Sequence, residues 1–380
     1  MSLFDLRVNY GVTGLAAVLP SVTASLGVPQ PASAPVVDLA PARSAIVVLI
    51  DALGYELLDQ RRGHARFLAG LMADGHRLSA GFPATTATSM ATFGTGLPPG
   101  AHGLLGYEVL DPATDALFNE LNWENGPDPQ QWQPAQTAFE RAEADGVAVA
   151  RIGPAYFDGS GLTKAALRGG QFIAARGLAA RVEAALAFVR AHRRALVYLY
   201  WGDLDKVGHV HGCGSWQFGE ELEAIDAQMA HLFRAAGADT SVYLTADHGM
   251  VDVPHEQRID AAAAPELTQG LRHLGGEARA RYLYCEPDTI DAVAARWQER
   301  IGERGSVLTR AQAIEAGWFG PVSPHVLPRI GDLVVLLGPD LAVVDSRRDR
   351  PELLALRGMH GSITPVERDV PLLGRPATRS

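Results

Sequence analysis

The run Ile46–Gly54, IVVLIDALG, decides the fold. Ile46 to Ile50 is an unbroken apolar stretch of strand length, as expected for a strand covered on both faces within a parallel sheet. The run breaks at Asp51, and a helical pattern follows Gly54 over Glu56–Ala73. An Asp at the carboxyl end of such a strand can cap the next helix. Open α/β sheets also place their ligand-binding groups there.

Further along, the same grammar repeats. Val147–Ile152 reads as a strand, Gly177–His192 as a helix and Ala195–Tyr200 as another buried strand. Gln217–Ala236 is an amphipathic helical stretch, and Ser241–Thr245 is a strand that runs straight into ADHGM, residues 246–250. Strand alternating with helix predicts an α/β fold with a mostly parallel central sheet and helices on both faces. Residues 1–43 read as an N-terminal segment, with a short helix at Ser21–Gly27 and a Pro-rich linker at Pro29–Pro41. No internal repeat or low-complexity tract interrupts the pattern.

A chain of 380 residues, 47% apolar and 20% charged, suits one large globular domain, alone or with an insertion. Lys and Arg number 33 against 43 Asp and Glu, a net charge of −10, which argues against a nucleic-acid polymer as partner. An anionic substrate would then need local positive charge, from a few Lys or Arg or from bound metal. Cys213 and Cys285 are the only cysteines, so neither a disulfide framework nor a thiolate zinc cluster is expected, and whether the two pair is not readable. Gly, Thr and Pro interrupt the apolar run Gly11–Pro20, with only Arg7 as a basic residue before it. No run approaches the roughly 20 apolar residues of a membrane span. The expectation is a cytoplasmic protein without a membrane partner, with an exported form as the alternative.

The chemistry centres on Phe82–Gly103, FPATTATSMATFGTGLPPGAHG. Thr85 and Thr86 follow Pro83 where the chain turns into a helix over Ala87–Phe93. A hydroxyl there sits beside unpaired backbone N–H groups and the positive end of the helix dipole, which favour an anionic ester; the plainer reading is a Thr N-cap. Asp51, Asp203 or Asp205 with His209 and His211 on a strand-end loop, and Asp247 with His248 all follow predicted strands, so one sheet edge would gather them. A late His360 stands between glycines. Carboxylates and imidazoles converging beside a hydroxyl call for cations, and Asp/His ligands suit zinc, with manganese or iron as alternatives. Threonine needs a base or a metal to become a nucleophile; two ions about 4 Å apart can serve the attacking and leaving oxygens at phosphorus. A Ser/His/Asp triad fits less well, because no G-x-S-x-G elbow is present.

Asp51-Ala-Leu-Gly, Phe82-Pro-Ala-Thr-Thr86, Asp205-Lys-Val-Gly-His209, Asp247-His-Gly-Met and Gly358-Met-His360-Gly, in that order, resemble the alkaline phosphatase superfamily, specifically its nucleotide pyrophosphatase/phosphodiesterase branch. The resemblance implies an α/β sandwich core over residues 44–250, an inserted α+β cap over 251–357 and a return to the core over 358–380. Within the cap, Arg281–Cys285 and Asp332–Leu337 read as strands and Thr289–Ile301 as a helix. It further implies two zinc ions, one held by Asp51, Thr86, Asp247 and His248 and the other by Asp205, His209 and His360. Thr86 would be the nucleophile, forming a covalent phospho-threonine, and the substrate a small phosphodiester or pyrophosphate, nucleotides among them.

The family's nucleophile is commonly followed by an aromatic, a proline and an asparagine, but here Ala87, Thr88 and Ser89 follow. Ala87 weakens the expectation of a nucleotide, and Ser89 becomes the substitute donor to a phosphate oxygen. Tyr107, Trp123, Tyr156 and Trp201 are candidate aromatic walls, and Lys206 and Arg151 candidate phosphate contacts. The alternative is a phosphomonoesterase or phosphonate hydrolase of the same superfamily. Sulfatase and phosphoglycerate mutase chemistry are disfavoured by the residues around Thr86; a metal-binding relative without activity is the reading from another class. Oligomeric state is not legible.

Overall fold

The computed structural model describes residues 7–378. Its main sheet has seven strands in the order His76–Ser79, Asp369–Arg375, Thr240–Thr245, Ser44–Ile50, Ala195–Trp201, Ala148–Gly153, Gln171–Ala174. The run from Thr240–Thr245 to Gln171–Ala174 is parallel, while Asp369–Arg375 is antiparallel to both neighbours. Ser44–Ile50 lies at the centre and is buried along its whole length, as its apolar sequence requires. Ile50 pairs with Trp201 and Leu49 with Thr245. The three strands therefore end side by side, and the residues that follow them emerge at one edge.

Two groups of helices pack on this sheet. Leu178–Ala191 contacts the strands Ala195–Trp201 and Ala148–Gly153 and the long helix Trp216–Ala235, which in turn meets Arg66–Leu71. Thr86–Thr95 packs instead with Val18–Ser25, Ala138–Ala144 and Gly161–Ala166. The fold is the expected α/β type with a mostly parallel central sheet.

A second, antiparallel sheet of six strands runs Gly305–Thr309, Leu333–Leu337, Ala280–Cys285, Leu271–Glu277, Glu108–Asp111, Ala116–Asn119. The helix Ile290–Ile301 buries Val293, Trp297 and Ile301 in a small core of its own with Leu283, Val335 and Leu337. The sheet is not confined to residues 251–357: the hairpin Glu108–Asn119 extends its edge through the pair Gly276 and Glu108. A fully buried ion pair ties this subdomain to the return segment, Arg279 donating to both Glu367 carboxylate oxygens at 3.0 and 2.8 Å.

Local expectations change in three places. The helix expected over Glu56–Ala73 is two helices, Tyr55–Gln60 and Arg66–Leu71. The second starts where it does because Asp226, from the helix Trp216–Ala235, accepts from the free N–H groups of Phe67 and Leu68 at 3.1 and 2.8 Å. The segment after Trp201, expected as a loop, is the helix Asp203–His211. The short helix expected at Ser21–Gly27 spans Val18–Ser25. Cys213 and Cys285 are both free and buried. No helix among the described residues is long and apolar enough to cross a membrane.

Candidate active site

Thr85 occupies the N-cap position with extended backbone but makes no side-chain cap bond, and Thr86 is the first residue of the helix Thr86–Thr95. Neither hydroxyl is used as a cap. The Thr85 hydroxyl faces Glu277, and Thr86 Oγ1 lies 3.3 Å from His248 Nε2.

The acidic and imidazole groups converge on this hydroxyl. His248 Nε2 is 3.3 Å from Asp51 Oδ1 and 3.5 Å from Asp247 Oδ2. His209 Nε2 is 3.3 Å from Asp205 Oδ1, and His360 Nε2 is 3.9 Å from the same oxygen. The helix Asp203–His211 puts Asp205 and His209 four residues apart on one face. Ligand atoms of Asp51, Asp247 and His248 form one close group, and those of Asp205, His248 and His360 a second, each within 4.8 Å.

Glycines in the motifs make the convergence sterically possible. A Cβ on Gly54 would stand 2.7 Å from Gly249 Cα, and one on Gly249 would stand 1.9 Å from Val366 O. The turn after Asp51 thus lies directly against the turn after Asp247 and His248. A Cβ on Gly358 would approach the Met250 sulfur to 2.4 Å and Gly208 O to 2.6 Å, and one on Gly208 would reach that sulfur at 2.6 Å. The helix carrying Asp205 and His209 is seated on the segment carrying His360 by the same device.

Hydrogen bonds set the imidazoles. Nδ1 of His209, His248 and His360 faces the carbonyls of Gly358 (2.8 Å), Gly249 (3.0 Å) and Ala84 (3.0 Å). Donation there leaves each Nε2 with a free lone pair turned into the cluster. The carboxylates show the complementary vacancy. Asp51 Oδ1, Asp205 Oδ1 and Asp247 Oδ2 are buried without a hydrogen-bond partner, while Asp51 Oδ2 accepts from the Tyr200 hydroxyl at 2.5 Å and Asp247 Oδ1 from the N–H groups of Ala52 and His248 at 3.2 and 3.0 Å. Burial, then repulsion from Asp247 and Asp205, holds Asp51 well above the carboxylate range. Burial also raises Asp247, and burial with the neighbouring His248 and His209 holds His360 far below the imidazole range. Buried, unpaired oxygens opposite imidazole lone pairs fit divalent cations.

Two cavities meet at Thr86, each also lined by Leu121 and Asp205. The larger, about 870 Å³, extends over the core past Asp51, Tyr200, Trp201 and Tyr156 to Arg151, Arg181 and Lys206. The smaller, about 320 Å³, runs past His209, His360 and Tyr107 to Glu277 and Arg281 of the six-stranded sheet. Burial pushes the Glu277 carboxyl up to about 8.

Of the residues singled out in the sequence, Asp51, Thr86, Asp205, His209, Asp247, His248 and His360 come together. Ser89 is fully buried, its hydroxyl without a partner, and lines neither cavity. Trp123 packs on Phe118 and donates to Pro127 O. Asp203 pairs with Lys206 at 2.7 Å, and His211 is exposed on the outer side of its helix. Sequence reasoning missed Tyr200, although its place at the end of a buried strand was a signal. It also missed Glu277 and Arg281, for which the hairpin sequence holds none.

The site is thus a helix-start hydroxyl set against buried Asp and His side chains at the carboxyl edge of a parallel sheet. The chain belongs to the type I phosphodiesterase / nucleotide pyrophosphatase family, whose model matches residues 45–363. Its fold is similar to an inactive form of murine ectonucleotide pyrophosphatase/phosphodiesterase 5 in complex with AMP (TM-score 0.67, 17% identity, covering 86% of this chain and 87% of that one). The human counterpart is equally similar (0.67, 18%, 87% of each chain). Phosphonoacetate hydrolase from Sinorhizobium meliloti, in complex with phosphonoacetate, gives 0.68 at 18% identity over 90% of this chain and 92% of that one. No curated protein matches the chain.

Proposed function

We propose that this protein is a two-metal phosphodiesterase that cleaves a phosphodiester or pyrophosphate bond through a covalent phospho-threonine at Thr86. The observation that carries this reading is the pair of cavities meeting at Thr86. A diester has a substituent on either side of phosphorus and can fill both; a phosphomonoester needs only one. In this reading Asp51, Thr86, Asp247 and His248 hold one ion and Asp205, His209 and His360 the other, with zinc the metal best matched to the three imidazoles. Bound ions of this kind favour the deprotonated hydroxyl and offset charge on the ester oxygens. The chain's own part is positional. Thr86 Oγ1 gives up its proton and forms the bond to phosphorus as the bond to the leaving alkoxide or phosphate breaks on the opposite side, the departing oxygen taking up a proton; water then cleaves the Thr86–phosphorus bond, which releases the phosphomonoester and restores the hydroxyl. Tyr200 fixes the Asp51 carboxylate, and three backbone carbonyls fix the imidazoles.

The rival reading, a phosphomonoesterase or phosphonate hydrolase, draws support from Ala87, which offers no ring to a nucleobase. The zinc-loaded protein should turn over bis(p-nitrophenyl) phosphate with a higher kcat/KM than p-nitrophenyl phosphate, and chelation should abolish both. Preference for the monoester, or release of phosphate from phosphonoacetate in place of diester cleavage, would replace the diester reading.

A further inference from the structure

The larger cavity carries a charge pattern that the reaction at Thr86 leaves unused. In a chain of net charge −10, its lining includes Arg151, Arg176, Arg181 and Lys206, against Asp203 as the lining carboxylate outside the Asp/His cluster. Lys206 is paired with Asp203 at 2.7 Å. Arg151 and Arg181 make their hydrogen bonds to neutral groups instead, with Asp158 and Glu143 acting on the first and Asp203 on the second only through space. Arg181 is 7% exposed, donates to the carbonyls of Ala175 (3.0 Å) and Tyr200 (2.7 Å), and lies 4.8 Å from the Trp201 ring. Arg151 donates to Gly170 O at 3.3 Å and sits over the Phe172 ring at 5.9 Å, and its Nε is buried with no partner. Arg176 is exposed and makes no ion pair among the described residues. Carbonyls and rings orient a guanidinium without cancelling its charge, and arginine stays protonated even when burial disfavours it.

We propose that this cavity is a subsite for a second anionic group of the substrate, a carboxylate or phosphate separated from the reacting phosphorus by a spacer that lies along Tyr156, Phe157 and Trp201. The proposal rests on the phosphodiesterase reading and deepens it. The substrate is an anionic diester whose charged substituent lies over the core, and its other substituent enters the smaller cavity under the cap. Guanidinium groups pair carboxylate and phosphate oxygens in a two-pronged geometry that a neutral ester cannot use.

The test compares two p-nitrophenyl diesters with the same leaving group, one carrying a phenyl and the other a carboxyphenyl ester, alongside calorimetric binding of phenylphosphonate and carboxyphenylphosphonate. The wild type should favour the carboxylate-bearing member of each pair by about tenfold or more, through KM and Kd. In Arg151→Gln with Arg176→Gln both ratios should fall towards one, while Arg151→Lys retains part of the preference; melting temperature and metal content report on folding. Equal binding of the two phosphonates by the wild type, or unchanged ratios in the double variant, overturns the subsite. Preferential binding of the carboxyphenylphosphonate without diester turnover upholds the subsite and rejects the phosphodiesterase reading instead.

Discussion

Replacing Tyr200 by Phe isolates one interaction at the proposed metal centre. The Tyr200 hydroxyl donates to Asp51 Oδ2 at 2.5 Å, leaving Oδ1 buried and unpartnered towards the cluster. The ring itself packs on Phe157 at 5.4 Å, a contact that Phe preserves, so the change removes the hydroxyl and little else. A hydrogen bond to a charged acceptor contributes about 1.5–3 kcal/mol. At about 1.4 kcal/mol per tenfold, losing it should weaken the ion held by Asp51 by roughly 10- to 100-fold. The sign with pH follows from the same bond. Burial and the neighbouring Asp247 and Asp205 raise the Asp51 carboxyl, and Tyr200 opposes them. Its loss raises the carboxyl further, so the variant should need a higher pH to load metal. Titration with a graded series of chelators, followed by metal analysis, should show one ion leaving the variant at weaker chelation and the other leaving as in the wild type. Identical midpoints in the two proteins, or equal weakening of both ions, would refute the assignment of Tyr200 to one site.

Thr86→Ala should abolish turnover on every ester while metal content stays nearly intact, since Asp51, Asp247 and His248 remain; wild-type turnover would sink the nucleophile assignment. His102 is fully buried, its Nδ1 accepting from Leu104 N–H at 3.1 Å and its Nε2 3.0 Å from Thr92 Oγ1, and burial, with Arg329 nearby, pushes its pKa down to about 3 from 6.5. The unfolded chain therefore binds this proton first, and the stability contribution, complete above about pH 6.5, falls as pH drops towards 3, by about 2 kcal/mol at pH 5. Urea midpoints between pH 7 and pH 5 should fall less steeply in His102→Gln, and parallel profiles would refute this. Arg279→Met removes the charged partner of the buried Glu367, which keeps only the Ser362 N–H and Thr364 hydroxyl as donors, and should cost about 3–5 kcal/mol, read as a lower urea midpoint; a loss below about 1 kcal/mol would refute the weight given to this ion pair.

What was legible in the sequence was whatever one segment decides alone. The apolar run Ile46–Ile50 has the length and pattern expected of a doubly covered strand, and Asp51 and Asp247 follow directly from strand ends, so their meeting was a matter of topology. The rest depended on partners distant in sequence. The break between Tyr55–Gln60 and Arg66–Leu71 is set by Asp226, more than 150 residues away. The helix Asp203–His211 buries Leu204 and Gly208 but no broad apolar stripe, and its glycine, unfavourable in a free helix, answers to the Met250 sulfur. The hairpin Glu108–Asn119 alternates like any edge pair, and nothing in it names the sheet it joins. Ser89 shows the opposite failure. A donor taken over by resemblance to a motif turned out to lie inside the helix packing, away from both cavities.

The contacts between Gly54 and Gly249, and among Gly208, Met250 and Gly358, couple the separate segments of the site. They fix the ligand-bearing turns at close range, Gly54 against the main chain of Gly249, and Gly208 and Gly358 about the Met250 sulfur, so the segments carrying Asp51, Asp205, His209, Asp247, His248 and His360 are tied to one another by the turns themselves. The crowded carboxylates of Asp51 and Asp247 are held together by the fold against their mutual repulsion. A methyl group at either seam would move whole turns rather than single side chains and disturb several ligands together.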